Sequence, residues 1–309
     1  MAGGVALNCV ANGKILKEKI FDSLWIQPAA GDAGGALGAA LFAWHQVLAN
    51  PREGAKNSSH DSQQGSYLGS HYANPEIASW LESEAIPYSK LDDAELYDTS
   101  AALLAQGFVL GWFQGRMEFG PRALGGRSIL GDPRNPEMQS RMNLKIKFRE
   151  SFRPFAPSCL AEQASEYFEL AEGESSPYML LTANVRERHR LAVEDGELFG
   201  IEKLNQARSS IPAVTHVDYS ARVQTVDGDA NPRFHALLSS FAKQTNCPIL
   251  INTSFNVRGE PIVESPLDAF KCFCSTGMDA LALENCLIKK ADLSAEVIKA
   301  FSSEAYELD

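Results

Sequence analysis

Residues 111–158 constrain this chain's architecture more than any other stretch, reading GWFQGRMEFGPRALGGRSILGDPRNPEMQSRMNLKIKFRESFRPFAPS. From Arg116 to Arg153 they hold nine basic residues (Arg116, Arg122, Arg127, Arg134, Arg141, Lys145, Lys147, Arg149, Arg153) and four acidic ones, a balance of +5. The whole chain carries −11, so the remainder carries −16. Gly115, Gly120, Pro121, Gly125, Gly126, Gly131, Pro133 and Pro136 interrupt the island. That punctuation argues against one long basic helix and predicts loops that turn guanidinium forks and backbone N–H groups toward one place. A local cationic island in an acidic protein suits a small, highly charged ligand, because a long polyanion asks for a basic face on the whole domain. The plain alternative is a solvated basic loop.

A second polar cluster weighs against that alternative. Residues 247–263, CPILINTSFNVRGEPIV, begin as an apolar strand and open into Asn252, Thr253, Ser254, Asn256 and Arg258. Uncharged hydrogen-bonding groups at the end of an apolar strand can orient a planar carbonyl or a phosphate without adding charge. About a hundred residues separate the clusters, so their meeting requires loops converging from one sheet.

The rest of the chain supplies alternating elements. Helical spacing is read over 14–21, 33–48, 76–84, 94–106, 162–168 and 231–246, and strands over 24–27, 108–113, 157–160, 179–185 and 281–288. Residues 211–226 read as two short strands around His216, Asp218, Ser220 and Arg222. His216 and Asp218 alternate on one face, either pairing for proton transfer or satisfying each other structurally. Ser265-Pro266 starts a helix by capping logic, and a polar helical tail begins at Ser294. Residues 50–72 and 186–210 are polar and weakly periodic, read as a linker and a surface excursion.

Length allows two domains, and 45% hydrophobic content allows packed cores. The longest nearly apolar run, 34–44, is too short to span a bilayer, and no charged-then-apolar signal pattern opens the chain; a cytoplasmic protein is expected. Six scattered cysteines fit reduced thiols, and Cys272 and Cys274 form only a CxC, a poor zinc signature.

The strings GRMEFGPRALGGRSILGDPR and NLKIKFRESFRPFAPS closely resemble the C-terminal domain of the NodU-type O-carbamoyltransferases, which decorate nodulation factors and antibiotics. GGVALNCVANGKI and QPAAGDAGGALGAAL resemble the last part of that family's actin-like (ASKHA-type) N-terminal domain. The resemblance implies an α/β chain in which 1–50 are the end of the actin-like domain, 51–72 a linker, 73–290 a YrdC-like domain with a twisted mixed sheet, and 291–309 a tail. It implies a chain that starts where the actin-like domain is mostly complete, with that domain's upstream histidines outside it.

The implied reaction forms carbamoyl-adenylate from carbamoyl phosphate and Mg-ATP, for transfer to a hydroxyl of an acceptor the sequence does not name. Carried over by position, Arg122, Arg127, Lys147, Arg153 and Ser254 would be catalytic. Arg116, Gly120, Arg149, His216, Arg222, Asn252, Thr253, Asn256 and Arg258 would bind carbamoyl phosphate or nucleotide. Gly3, Gly4 and Asn8 would line the adenosine side of a pocket. Asp32 would be one ligand of a metal, Fe2+ in the complete actin-like domain; from position alone it is equally a helix N-cap. Two rival readings are a non-catalytic or split subunit needing a separate N-terminal polypeptide, and an RNA-binding module. Net charge and the scarcity of aromatics among the basic residues oppose the second.

Overall fold

The computed structural model describes residues 1–52, 63–170, 173–192, 204 and 206–302. Most of the expected linker, the centre of the expected excursion and the end of the tail lie outside these residues.

Among the described residues nine strands form one mixed sheet: β1 (Ser89–Lys90), β2 (Leu110–Phe113), β3 (Arg127–Gly131), β4 (Ala156–Leu160), β5 (Leu181–Asn184), β6 (Ser220–Val226), β7 (Ile249–Ser254), β8 (Ala280–Leu283) and β9 (Cys286–Lys289). Their order is β1-β9-β8-β2-β3-β7-β4-β6-β5. The β2–β8 and β4–β6 pairs are parallel and the others antiparallel. Every residue of β2, β3, β4 and β8 is buried, and apart from Arg127 at the start of β3 these strands carry no charged residue, as strands covered on both faces require.

Helix ends follow the capping chemistry of the sequence. Asp92 and Glu95 close a capping box on Asp93–Ala105, and Ser265 and Asp268 close one on Pro266–Ser275. Asn231 caps Pro232–Thr245, which ends on Asn246 in the left-handed region at φ 56°. Helix Pro232–Thr245 packs on Asp93–Ala105, and Pro266–Ser275 packs on β2 and β8.

Several expected elements change form. Residues 24–27 join no ladder; Gln27 N donates to Met1 O, and that isolated contact makes no strand. The helix expected over 33–48 is Asp32–Phe42 followed by a π turn, Ala43–Val47. Residues 162–168 hold a 3-10 turn and a single helical turn, Ala164–Tyr167. The two strands expected in 211–226 are one, β6, because a 3-10 turn at Pro212–Val214 and a left-handed Tyr219 (φ 63°) precede it. Left-handed Glu284 (φ 47°) folds the expected strand 281–288 into the β8–β9 hairpin. Within the cationic island the chain also forms β3 and a helix, Met138–Lys145.

The first fifty residues lean on the β5 edge through helix Cys9–Lys17. Buried Asn12 donates to Ala6 O and Leu180 O, and a Cβ on Gly13 would lie 2.5 Å from Thr182 Oγ1, so close approach demands glycine there. Their other face is apolar and uncovered, with Ile20, Phe21, Trp25, Phe42, Trp44, Val47 and Leu48 all more than half exposed.

Candidate active site

Two local devices shape the site. Glu118 is buried, and its carboxylate accepts from the backbone N–H groups of Leu124, Gly126 and Arg127, tying the glycine loop into a tight ring. Gly125 has φ +109° and a Cβ there would sit 2.3 Å from Phe234, so this bend takes only glycine. Asn143, fully buried, staples the second loop: its Nδ2 donates to Ser151 O and Arg153 O, and its Oδ1 accepts from Arg149 Nε at 2.6 Å. These devices leave Arg122, Arg149 and Arg153 on the rim and walls of one space.

That space is a cavity of about 180 Å3 lined by Arg122, Arg149, Arg153, Arg222, Asn252, Thr253 and Ser254, with Phe155, Met179 and small residues between them. The cationic island and the neutral cluster of β7 therefore meet. None of the four arginines pairs with a carboxylate among the described residues, and no carboxylate lines the cavity.

Arg122 donates from Nη2 to Leu7 O at 3.3 Å, Arg149 lies 5.0 Å over the Phe155 ring, and Arg222 lies beside the Cys9 thiol. Burial drives the Arg149 and Arg222 guanidiniums down to about 10, with neighbouring arginines pushing the same way, and lowers Arg122 as well. Arg122 Nε, Arg222 Nε and Asn252 Oδ1 are buried polar atoms without a partner. Cations without carboxylate partners around one small space could hold a small anion.

Lys147 stands behind Ser254 and does not line the cavity. Its Nζ contacts Ser254 O (2.5 Å), Ser254 Oγ (3.1 Å), Asn256 O (2.9 Å) and Asn256 Oδ1 (2.7 Å). Burial lowers its pKa to about 7, although the protonated form has three N–H groups to share among these four oxygens.

Other expected site residues lie elsewhere. Arg127 is wholly buried, stacked 3.5 Å over the Phe113 ring, and donates to the carbonyls of Ser70, Gln114, Gly115 and Gly126; its guanidinium holds the fold and does not reach the cavity. Arg116 is exposed and binds Gly69 O, Gly120 packs near Ala29, and Arg258 is exposed in the turn after β7. His216 and Asp218 do not pair directly. Ser220 Oγ lies 2.9 Å from His216 Nδ1 and donates to Asp218 at 2.7 Å, a turn-stabilising chain off the cavity.

Gly3, Gly4 and Asn8 are exposed; Gly3 N bonds Ala30 O, and Asn8 caps helix Cys9–Lys17. Asp32 is exposed in the first turn of its helix, Gly31 taking the N-cap position. Among the described residues no three His, Cys, Asp or Glu gather, so those present do not fit an iron centre. Glu118, Asn143 and Gln224 are the supporting residues that pattern reading missed. Only Gln224 carried a signal, standing two residues along β6 from Arg222 on the same face.

A mixed α/β sheet that turns four arginines without carboxylate partners and a neutral strand end onto one small space has the geometry to handle a small anion. The carbamoyltransferase C-terminus family model matches residues 101–290 and the carbamoyltransferase N-terminus model residues 1–41. The chain belongs to the carbamoyltransferase family, of NodU type.

An uncharacterized protein of Synechocystis sp. is 57% identical over all of this chain and half of its own length. Nodulation protein NolO of Bradyrhizobium diazoefficiens is 43% identical over 96% of the chain and 50% of itself. The 3'-hydroxymethylcephem-O-carbamoyltransferase of Streptomyces clavuligerus is 35% identical over 87% and 44%. The chain thus spans about half the length of the curated relatives it matches. A solved structure of full-length HypF in its phosphate- and nucleotide-bound form overlaps 67% of the chain and 22% of itself, with TM-score 0.38 and 15% identity. No helix among the described residues is long and apolar enough to cross a membrane.

Proposed function

We propose that the arginine cavity binds carbamoyl phosphate and that the chain activates the carbamoyl group as carbamoyl-adenylate, using ATP. The observation that carries this reading is the convergence of Arg122, Arg149, Arg153 and Arg222 on a carboxylate-free space of about 180 Å3. That is below the roughly 300–1,000 Å3 of drug-sized sites and suits one small phosphate compound. Carbamoyl phosphate loses its phosphate to water, leaving carbamate. A carbamate oxygen then bonds to the α-phosphorus of ATP as the Pα–O bond to pyrophosphate breaks. The arginines hold the anions together and stabilise charge growing on the α-phosphoryl oxygens. The cavity wall offers no carboxylate to a divalent ion, so Mg2+ would enter on the nucleotide's own phosphates.

Transfer to a hydroxyl acceptor needs a second body, and the uncovered apolar face of the first fifty residues is where such a body would seat. It would be the remainder of a longer protein or a separate polypeptide. Labelled pyrophosphate should exchange into ATP only when carbamoyl phosphate is present. No exchange rejects the activation step, whereas carbamoylation of an alcohol by this chain alone rejects the need for a second body.

A further inference from the structure

The polar atoms of the cavity divide by sign of hydrogen bonding. Every guanidinium can only donate. At the β7 end, the network fixes two side chains as acceptors, and backbone carbonyls, which cannot donate, anchor the assignment.

Gln224 Nε2 donates to Leu124 O at 2.8 Å, so Gln224 Oε1 faces the other way and accepts. It takes hydrogen bonds from Ser158 Oγ and from Asn252 Nδ2, the latter at 2.8 Å. Asn252 Nδ2 spends its other proton on Ala123 O at 3.2 Å. Asn252 is 1% exposed, and its Oδ1 is left with no partner. The same logic holds two residues along the strand. Asn256 Nδ2 donates to Glu260 O at 2.7 Å, so its Oδ1 faces Ser254 and takes the only hydroxyl proton of Ser254 at 2.6 Å. With that proton spent, Ser254 Oγ has only its two lone pairs left to offer, and Lys147 Nζ, 3.1 Å away, can reach no more than one of them.

We infer that Asn252 and Ser254 form an acceptor pair that reads an NH2 group, so that the site selects carbamoyl phosphate over an acyl phosphate ending in a methyl group. The two residues alternate by two along β7 and so share a face of the strand, and both line the cavity. An orphaned buried acceptor is costly until a donor reaches it, and a carbamoyl nitrogen brings two N–H donors while an acetyl methyl brings none. This rests on the carbamoyl-phosphate reading and adds to it: Ser254 turns a lone pair, not a proton, toward the ligand, so it contacts the carbamoyl end and leaves the phosphate to the arginines.

Carbamoyl phosphate and acetyl phosphate match in charge and nearly in size, and calorimetric titration of each, with inorganic phosphate as the anion control, tests the assignment. Wild-type protein should hold carbamoyl phosphate about ten-fold or more tighter than acetyl phosphate. Ser254→Ala should shrink that ratio several-fold by weakening carbamoyl phosphate, with acetyl phosphate and inorganic phosphate unmoved. Equal wild-type affinities for the two acyl phosphates overturn the acceptor pair while leaving an anion site standing. A wild-type preference untouched in Ser254→Ala also overturns it. Failure of all three phosphates to bind removes the carbamoyl-phosphate reading itself.

Discussion

The surroundings of Arg127 and the cavity around Arg222 each hold a deeply placed arginine whose pKa burial draws down to about 10. There the likeness ends. Arg127 has four carbonyl acceptors, the Phe113 ring beneath it and Glu118 as its strongest charged neighbour. Arg222 has the Cys9 thiol, two arginines that repel it, and no oxygen to donate to among the described residues. The Nε of each is buried without a partner, so the terminal nitrogens carry the difference: those of Arg127 are spent on carbonyls of the fold, and those of Arg222 are not. What separates the two is the state of their partners.

The contrast breaks most visibly on stability. Arg127→Met removes the cation and leaves Glu118 and four carbonyls short of it, which should cost about 3–5 kcal/mol of unfolding free energy. Denaturant melts would show it as a lower midpoint. A variant as stable as wild type would mean that this arginine is not the fold's anchor. Arg222→Met should do the reverse. It relieves repulsion from Arg122 and Arg149, so the melt should hold or rise, while carbamoyl phosphate affinity falls by about a hundred-fold, roughly 2.7 kcal/mol. Equal losses of stability in both variants would erase the distinction drawn between them.

That distinction marks where sequence reading stops. The glycine and proline spacing of the island foretold loops, and the apolar run into Asn252 foretold a strand end facing them; both followed from local chemistry. Arg122, Arg149, Arg153, Asn252, Thr253 and Ser254 were legible as members of two clusters because charge and strand polarity are written residue by residue, whereas Arg222 was tied to them only by the family resemblance; all seven line the one cavity. The fate of Arg127 was not, since it depends on Ser70 and Gln114, carbonyls that the sheet brings together across 57 and 13 residues. Lys147 was placed with the ligand by motif and lies instead one layer back, because two oxygens each from Ser254 and Asn256 surround it. The β8–β9 hairpin was missed for a smaller reason: its turn uses Glu284 in a left-handed conformation that glutamate rarely advertises.

Lys147 sharpens the comparison at its weakest coupling, because it belongs to neither class: its hydrogen bonds are complete, yet its charge lies directly behind Ser254, which lines the cavity. Its pKa falls to about 7 from an ordinary 10.5, so the unfolded chain keeps a proton that the folded chain releases between those values. Stability should therefore rise as pH climbs from about 7 toward 10.5. Anion affinity should run the other way, since the charge behind Ser254 fades over the lower part of that window. Sulfate, a dianion throughout, serves as a probe, and its affinity should drop by about three- to ten-fold between pH 6 and pH 8.5. In Lys147→Met both slopes should flatten together. A sulfate affinity that stays level across this range in wild type would place the lysine's charge out of reach of the cavity, leaving it as a purely positional donor to Ser254.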